Sequence, residues 1–170
     1  MLNYTEFVEK LASEGTDEIF FNSGPEHAAI VMSRIFKYAN SEVRILCGGF
    51  NGAVSNDEDY LKYLDGFLQK GGRLKILAEE DLSKTPSKVF KLLRKHKESV
   101  EIYLTPFKVL VKDKPIHFAI GDDKMLRIET GTDDYTAQVN FGNSAEARDY
   151  ISMFDNQLMP RSREKPILLD

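Results

Sequence analysis

The chain has 170 residues, of which 42% are hydrophobic and 29% charged, and its 23 basic side chains are outnumbered by 27 acidic ones. This mixture is typical of a soluble globular domain and excludes disordered, collagen-like and membrane-spanning classes. The single cysteine, Cys47, excludes an internal disulfide and a cysteine-rich zinc site, so a reducing cytoplasm is the simplest setting.

Over residues 1–104 the hydrophobic pattern alternates between helical and strand periods. It predicts helices over residues 4–13, 25–39, 57–70 and 86–97, and strands over residues 18–22, 43–47, 74–78 and 100–104. Residues 50–56, which follow two consecutive glycines, are predicted to form a loop.

From residue 107 onward the apolar residues recur mostly with period two. Strands are predicted over residues 107–111, 116–121, 125–130 and 135–141, followed by a helix that Ser144 caps and Pro160 ends. Residues 1–158 are predicted to form one domain, and residues 159–170 a tail or a partner-docking arm. The order of elements predicts an α/β fold, with a mixed sheet flanked by helices on both faces.

Charge is distributed unevenly, since residues 61–115 carry 13 basic and 7 acidic side chains while both flanking regions are acidic. Helical spacing brings several of the basic residues to one side of the helix predicted over residues 86–97 and the turn before it. They are Lys84, Lys88, Lys91 and Lys95, and Arg94 belongs to the same basic stretch. A solvated helix face and a surface that binds a phosphate backbone both fit this pattern, and the second predicts strongly salt-dependent binding.

His117 lies on a predicted strand, on the same side as Ala119 and Gly121, whose small size leaves room for a ligand or for packing. An accessible imidazole is a common nucleophile or base, and a strand histidine is also a common structural residue. The paired aspartates at 122–123 and 133–134 fall in turns, with no histidine or cysteine at a metal-ligand spacing. No metal and no cofactor is therefore predicted.

Residues 17–158 resemble a single-motif member of the phospholipase D superfamily. The resemblance rests on the order of elements and on four segments, namely residues 41–46, 71–77, 116–123 and 143–156. It implies that family's α/β half-unit. In that family a histidine of the HxKxxxxD motif attacks phosphorus, and the lysine two residues later holds phosphate oxygens.

The motif is incomplete in this chain. His117 stands in the histidine position, but Ala119 stands in the lysine position and Lys124 in the aspartate position, with Asp123 one residue early. The family's downstream Gly-Ser has a counterpart in Gly131 and Thr132. The resemblance thus implies His117, Asp123 and Thr132 as catalytic candidates, and Lys124 and Arg127 as candidate phosphate ligands in place of the lysine.

Loss of an oxyanion-binding cation removes charge stabilisation on which phosphoryl transfer depends. The departures therefore favour a degenerate domain that acts as a non-catalytic binding or assembly module for a protein or nucleic-acid partner. The alternative is a metal-independent phosphodiesterase or nuclease, insensitive to EDTA, with His117 as nucleophile in a homodimer. A third hypothesis is a nucleic-acid accessory protein that uses the lysine-rich helix. The resemblance also implies a homodimer and a link to bacterial defence against foreign DNA.

Overall fold

The computed structural model describes residues 1–84 and 87–170. The strands are β1 (Phe20–Asn22), β2 (Glu42–Cys47), β3 (Arg73–Ala78), β4 (Val100–Leu104), β5 (Leu110–Val111), β6 (Lys114–Pro115), β7 (His117–Gly121), β8 (Met125–Gly131) and β9 (Thr136–Asn140). The helices are α1 (Tyr4–Glu14), α2 (Gly24–Tyr38), α3 (Gly52–Ser55), α4 (Glu58–Gln69), α5 (Lys88–Lys95), α6 (Ser144–Ser152) and α7 (Met159–Ser162). A π-helical segment (Met153–Leu158) joins α6 to α7.

Seven of the described strands form one mixed sheet in the order β1-β9-β8-β7-β2-β3-β4. Strands β2, β3 and β4 are parallel to one another, and β7 is antiparallel to β2. Parallel strands need crossover connections, which the chain supplies with helices α4 and α5. The carboxyl ends of β2, β3 and β4 therefore meet the start of β7 and the end of β8 at one edge of the sheet.

Helices cover both faces of the sheet, which confirms the predicted α/β class. On one face, helices α1 to α5 bury a core that includes Val8, Phe36, Ile45 and Leu64. On the other, helix α6, the π-helical segment and α7 pack on a second cluster around Phe118, whose ring contacts those of Tyr150 and Phe154 edge to face. Alternation along each strand sends neighbouring residues to opposite faces, so the two clusters share the same strands.

The helix starts follow the capping chemistry of the sequence. Asn3, Asp57, Ser87 and Asn143 each accept a hydrogen bond from a backbone N–H of the first turn. At Asn3 the side chain of Glu6 completes a capping box. These caps satisfy N–H groups that have no partner within the helix.

The segment predicted as a tail or docking arm lies along the outer edge of β4. The amide of Leu104 donates to the carbonyl of Lys165 over 2.8 Å, and the amide of Ile167 donates to Ile102 over the same distance. Ile167 and Leu169 are buried in the larger core. The end of the chain thus covers an edge strand that would otherwise expose unpaired backbone groups.

Four local predictions were wrong. The last helix is capped by Asn143 and not by Ser144, which is its first residue. Residues 50–56 contain the short helix α3, capped by the side chain of Asn51. In the predicted strand 107–111 only Leu110–Val111 forms a strand, which pairs with β6 in a separate two-stranded hairpin. Pro160 does not end the last helix, because it lies in the first turn after the π-helical segment, where a missing N–H is tolerated.

The basic helix predicted over residues 86–97 begins at Lys88 and ends at Lys95. Residue 86, where the prediction started, lies outside the described residues. A turn of 3₁₀ helix, Lys97–Ser99, leads from α5 into β4. Within the described part of the chain, no helix is long and apolar enough to cross a bilayer.

Candidate functional site

Polar side chains from several strands converge where the carboxyl ends of β2, β3 and β4 lie. His117 is the first residue of β7 and pairs across the ladder with Glu129 on β8. Glu79 follows the last residue of β3 directly. The open end of a parallel sheet is where α/β folds usually place their ligand sites.

His117 is held between two carboxylates. Its Nε2 lies 2.6 Å from Oε1 of Glu79, and its Nδ1 lies 3.5 Å from Oε1 of Glu129. Burial by itself lowers the pKa of His117, but the hydrogen bonds and negative charges of Glu129 and Glu79 outweigh it and raise the pKa above its usual value. The two carboxylates therefore favour the protonated ring, which donates from Nε2 to Glu79 and keeps Nδ1 in ion-pair contact with Glu129.

The backbone beyond β2 fixes the position of Glu79. The amide of Glu79 donates to the carbonyl of Cys47 over 3.0 Å, and the amide of Glu80 donates to Gly48 over 2.8 Å. Gly48 itself lies against the imidazole, since a Cβ at this position would stand only 3.2 Å from Cε1 of His117. The backbone therefore packs closely against the ring, and it has little space for any larger residue.

Arg127 is the buried cation of the site. It pairs across the ladder with Ala119, so its side chain lies on the same face as the motif position that lacks a lysine. Its Nε donates to Oδ1 of Asn22 over 3.0 Å and its Nη1 to Oε2 of Glu129 over 2.9 Å. Its Nη2 donates to the carbonyl of Tyr135 over 3.3 Å. The guanidinium is thus bonded to the protein through all three nitrogens.

A cavity of about 680 Å³ opens beside His117. Its lining includes four carboxylates, those of Glu79, Glu80, Glu129 and Asp133, and the aromatic rings of Phe50, Phe107, Tyr60 and Tyr135. Thr105, only 3% exposed, also lines the cavity, and its hydroxyl has no hydrogen-bond partner among the described residues. A volume of this size is typical of a small-molecule site.

Cys47 also lines the cavity. Burial, reinforced by the negative charge of Glu79, raises the pKa of this thiol to about 12. It is therefore neutral at physiological pH and is not a nucleophile. Among residues 1–84 and 87–170, no group of three or more histidine, cysteine, aspartate and glutamate side chains is placed to hold a metal ion.

The structure separates the residues predicted from sequence into three places. His117, Arg127 and Thr132 line the same cavity. Asp123 and Lys124 lie at the turn between β7 and β8, about 17 Å along the strand from His117 at the usual rise per residue. There the carboxylate of Asp123 accepts from the guanidinium of Arg148. This turn is therefore not part of the His117 site.

The basic residues form the third group. Lys84, Lys88, Lys91, Arg94 and Lys95 are exposed on α5 and the turn before it, and none of them lines the cavity. The guanidinium of Arg94 lies 5.1 Å from the ring centre of Phe90 on the same helix. Any role of these residues in binding is therefore separate from His117.

Sequence reasoning missed Glu79, Glu129, Asn22 and Thr105. Two of them carried a usable signal, because Glu79 directly follows a buried parallel strand and Glu129 lies within a strand whose other residues are largely apolar. Asn22 and Thr105 carried none. Their places in the site depend on strand pairing between distant segments.

No family model matches the sequence, and no curated protein matches it. Solved structures do match. The phospholipase D family member Nuc from Salmonella typhimurium is 15% identical with a TM-score of 0.55, over 88% of this chain and 97% of that one. NucT from Helicobacter pylori is 14% identical with a TM-score of 0.59, over 88% and 98% of the two chains.

Two larger proteins match over part of their length. TrmBL2, described as an archaeal chromatin protein with a novel mode of DNA binding, is 14% identical with a TM-score of 0.62, over 91% of this chain and 55% of that one. Phosphatidylserine synthase from Haemophilus influenzae Rd KW20 is 13% identical with a TM-score of 0.58, over 89% and 39% of the two chains. Identities this low establish the architecture and not the activity. The chain has the fold of the phospholipase D superfamily.

Proposed function

We propose that the protein is a non-catalytic binding module, which uses the phospholipase D-like fold to hold a ligand in the cavity beside His117. The observation that carries this proposal is the position of His117 between Glu79 and Glu129. Attack on phosphorus requires a free lone pair on a ring nitrogen, whereas Nε2 of this ring is engaged by Glu79 and the two neighbouring carboxylates favour the protonated ring.

The missing lysine supports the same conclusion. Ala119 supplies no charge, and Arg127, its neighbour across the ladder, is already bonded to Asn22, Glu129 and Tyr135. Removal of a single stabilising donor costs roughly 10²–10³ in turnover in well-studied sites. A phosphate bound beside His117 would find carboxylates in place of free donors.

The test is a hydrolysis assay in EDTA on bis(4-nitrophenyl) phosphate and on single- and double-stranded DNA. Wild type is compared with His117→Ala and with Asp123→Asn, a matched substitution outside the cavity. We expect no turnover above background in any of the three. Hydrolysis by wild type that His117→Ala abolishes and Asp123→Asn retains would overturn the proposal.

One observation favours a metal-independent phosphodiesterase as the second candidate. Arg127 places a cation on the same face as Ala119, where it could meet a phosphate if it exchanged its bond to Glu129. His117 would then have to lose its proton and its contact with Glu79 before it attacked. In this case Arg127→Lys would retain part of the activity that Arg127→Met removes.

Nucleic-acid binding is the third candidate function, and the exposed basic side chains of α5 favour it. TrmBL2, which shares the fold, is described as binding DNA. We expect such binding to weaken steeply between 50 and 200 mM salt, by about 10³-fold if six phosphates are contacted. Fluorescence anisotropy of labelled DNA measures this binding in the wild type and in Lys88→Glu/Lys91→Glu.

The homodimer stays a prediction. Sedimentation of the wild type tests it.

A further inference from the structure

We infer that the cavity beside His117 takes a small organic cation, a protonated amine or guanidinium attached to an apolar or aromatic body. This inference rests on the proposed binding function and names the class of ligand. Three independent features of the cavity carry it, namely the state of its charged groups, a buried hydroxyl and its aromatic walls.

Among the charged groups that line the cavity, two carboxylates and one cation have no ion-pair partner in the described residues. The two basic groups deep in the site, His117 and Arg127, already donate to carboxylates of the protein. In contrast, the lining carboxylates of Glu80 and Asp133 form no ion pair with any residue in the described part of the chain, and both side chains are exposed at the rim. The exposed Lys108 is the remaining basic residue of the lining. Because free carboxylates outnumber free cations, a ligand that donates hydrogen bonds fits this arrangement better than an anion does.

Thr105 is the second feature and is independent of the carboxylates. It follows β4, lines the cavity and is 3% exposed, and its hydroxyl bonds to nothing in residues 1–84 and 87–170. Buried polar atoms are nearly always satisfied, and an exception needs an explanation. A polar group on a bound ligand would satisfy this hydroxyl, which can both donate and accept.

Aromatic rings supply the third feature. Phe50 and Tyr135 line the cavity and are partly exposed. The ring of Phe107 already lies under a cation, since the guanidinium of Arg161 stands 4.0 Å from its centre. Aromatic faces attract cations through their quadrupole and also cover apolar parts of a ligand. A cation carried on an aromatic or aliphatic body therefore matches both kinds of wall.

The closing experiment compares two probes that differ only in charge-bearing group. Tyramine has a phenol ring with an ammonium group, and 4-ethylphenol has the same ring and chain without it. Isothermal titration of the full chain should show saturable tyramine binding at one site, with 4-ethylphenol weaker by about tenfold or more. Agmatine tests the guanidinium arm, and inorganic phosphate serves as the anionic probe.

Variants locate the binding. We expect Glu80→Gln/Asp133→Asn and Thr105→Val each to weaken tyramine by about threefold to tenfold. Asp123→Asn, which removes a carboxylate outside the cavity, should leave the affinity unchanged. Circular dichroism and thermal unfolding confirm that each variant is folded.

Two results would overturn the inference while leaving the binding module intact. One is phosphate binding in the absence of amine binding, and the other is equal affinity for tyramine and 4-ethylphenol. Amine binding that neither set of cavity variants changes would also overturn it, because the probe would then lie elsewhere. Failure of the proposed function is seen separately, as diester hydrolysis that depends on His117.

Discussion

Two buried arginines, Arg44 on β2 and Arg127 on β8, point to opposite faces of the same sheet, and each is bonded to carboxylates. Arg44 forms a two-pronged pair with Asp155 of the π-helical segment, at 2.9 Å for both bonds, and a further contact of 2.8 Å with Glu42. Arg127 bonds to Glu129 of its own strand. Both side chains are about equally hidden from solvent, at 10% and 7% exposed.

The two arginines differ in which parts of the fold they connect and in whether they lie beside the cavity. Arg44 ties the sheet to the helical segment that covers it, so its pair belongs to the packing between layers. Arg127 joins residues that end at the open edge of the sheet, and its carboxylate partner also contacts His117 beside the cavity. Burial of a charged side chain therefore does not identify a site by itself. The neighbouring cavity and the shared carboxylate do.

The largest expected effect is that of Arg127→Met on stability. The substitution leaves the buried carboxylate of Glu129 and Oδ1 of Asn22 without the donor that Arg127 supplies, while the carbonyl of Tyr135 keeps its bond from the Asn22 amide. Removing one partner of a buried ion pair costs about 3–5 kcal/mol. Urea unfolding at pH 7 measures the loss. The double variant Arg127→Met/Glu129→Met should recover most of it, and a loss below about 1 kcal/mol in the single variant would contradict the assignment.

Arg44→Met should cost less, about 1–3 kcal/mol, because its partner Asp155 is 32% exposed and can regain water. A double-mutant cycle with Asp155→Leu measures the coupling between the two residues. Ligand binding distinguishes Arg44 from Arg127 further. Arg44 does not line the cavity, so Arg44→Met should leave the affinity for tyramine unchanged. A loss of affinity in a variant that is folded would show that the two faces of the sheet are coupled.

Acid–base behaviour should also separate the two arginine clusters. The carboxylates around His117 raise its pKa in the folded protein above the usual value of 6.5. The stability gained from this protonation is complete below pH 6.5 and is lost as pH rises through the folded pKa. The stability difference between wild type and His117→Gln should therefore shrink with rising pH, by at most about 1.4 kcal/mol per pH unit.

Urea unfolding of both proteins between pH 5.5 and 9 tests this expectation. The matched control is Arg44→Met, whose stability difference from wild type should be flat over this range because its partners are carboxylates and not histidine. If the His117→Gln difference were equally flat, the ring would not be the protonated partner of Glu79.

Most of the fold could be predicted because its signals are local. The hydrophobic period identifies the strands and the larger helices, and helices between strands predict a mixed sheet covered on both faces. The paired part of residues 107–116 could not be located, since it depends on a tight turn in which Lys112 and Asp113 both have positive φ. The π-helical segment that brings Asp155 to Arg44 also left no pattern in the sequence.

The site was predicted only in part, because it is assembled by pairing between distant strands. His117 was found from its small neighbours and from the family motif, and Arg127 was considered as a substitute for the missing lysine. Its position opposite Ala119 depends on the β7–β8 register. Glu79 comes from a third strand, 38 residues away in sequence from His117. The sequence therefore predicted individual residues and could not predict their contacts.

The smallest expected effect is that of Thr105→Val. This substitution should raise the stability of the protein and weaken its binding of the ligand. Its hydroxyl is buried and has no partner among the described residues, whereas the half-buried Thr132 lines the same cavity. Valine has nearly the same shape and removes the desolvated oxygen, so Thr105→Val should stabilise the protein by about 1 kcal/mol. Thr132→Val should change stability by less than about 0.5 kcal/mol. A residue kept for packing alone would gain stability in this variant without losing affinity. If Thr105→Val is more stable and also binds tyramine more weakly, the hydroxyl is retained for a ligand at a cost to the fold, as functional sites often are.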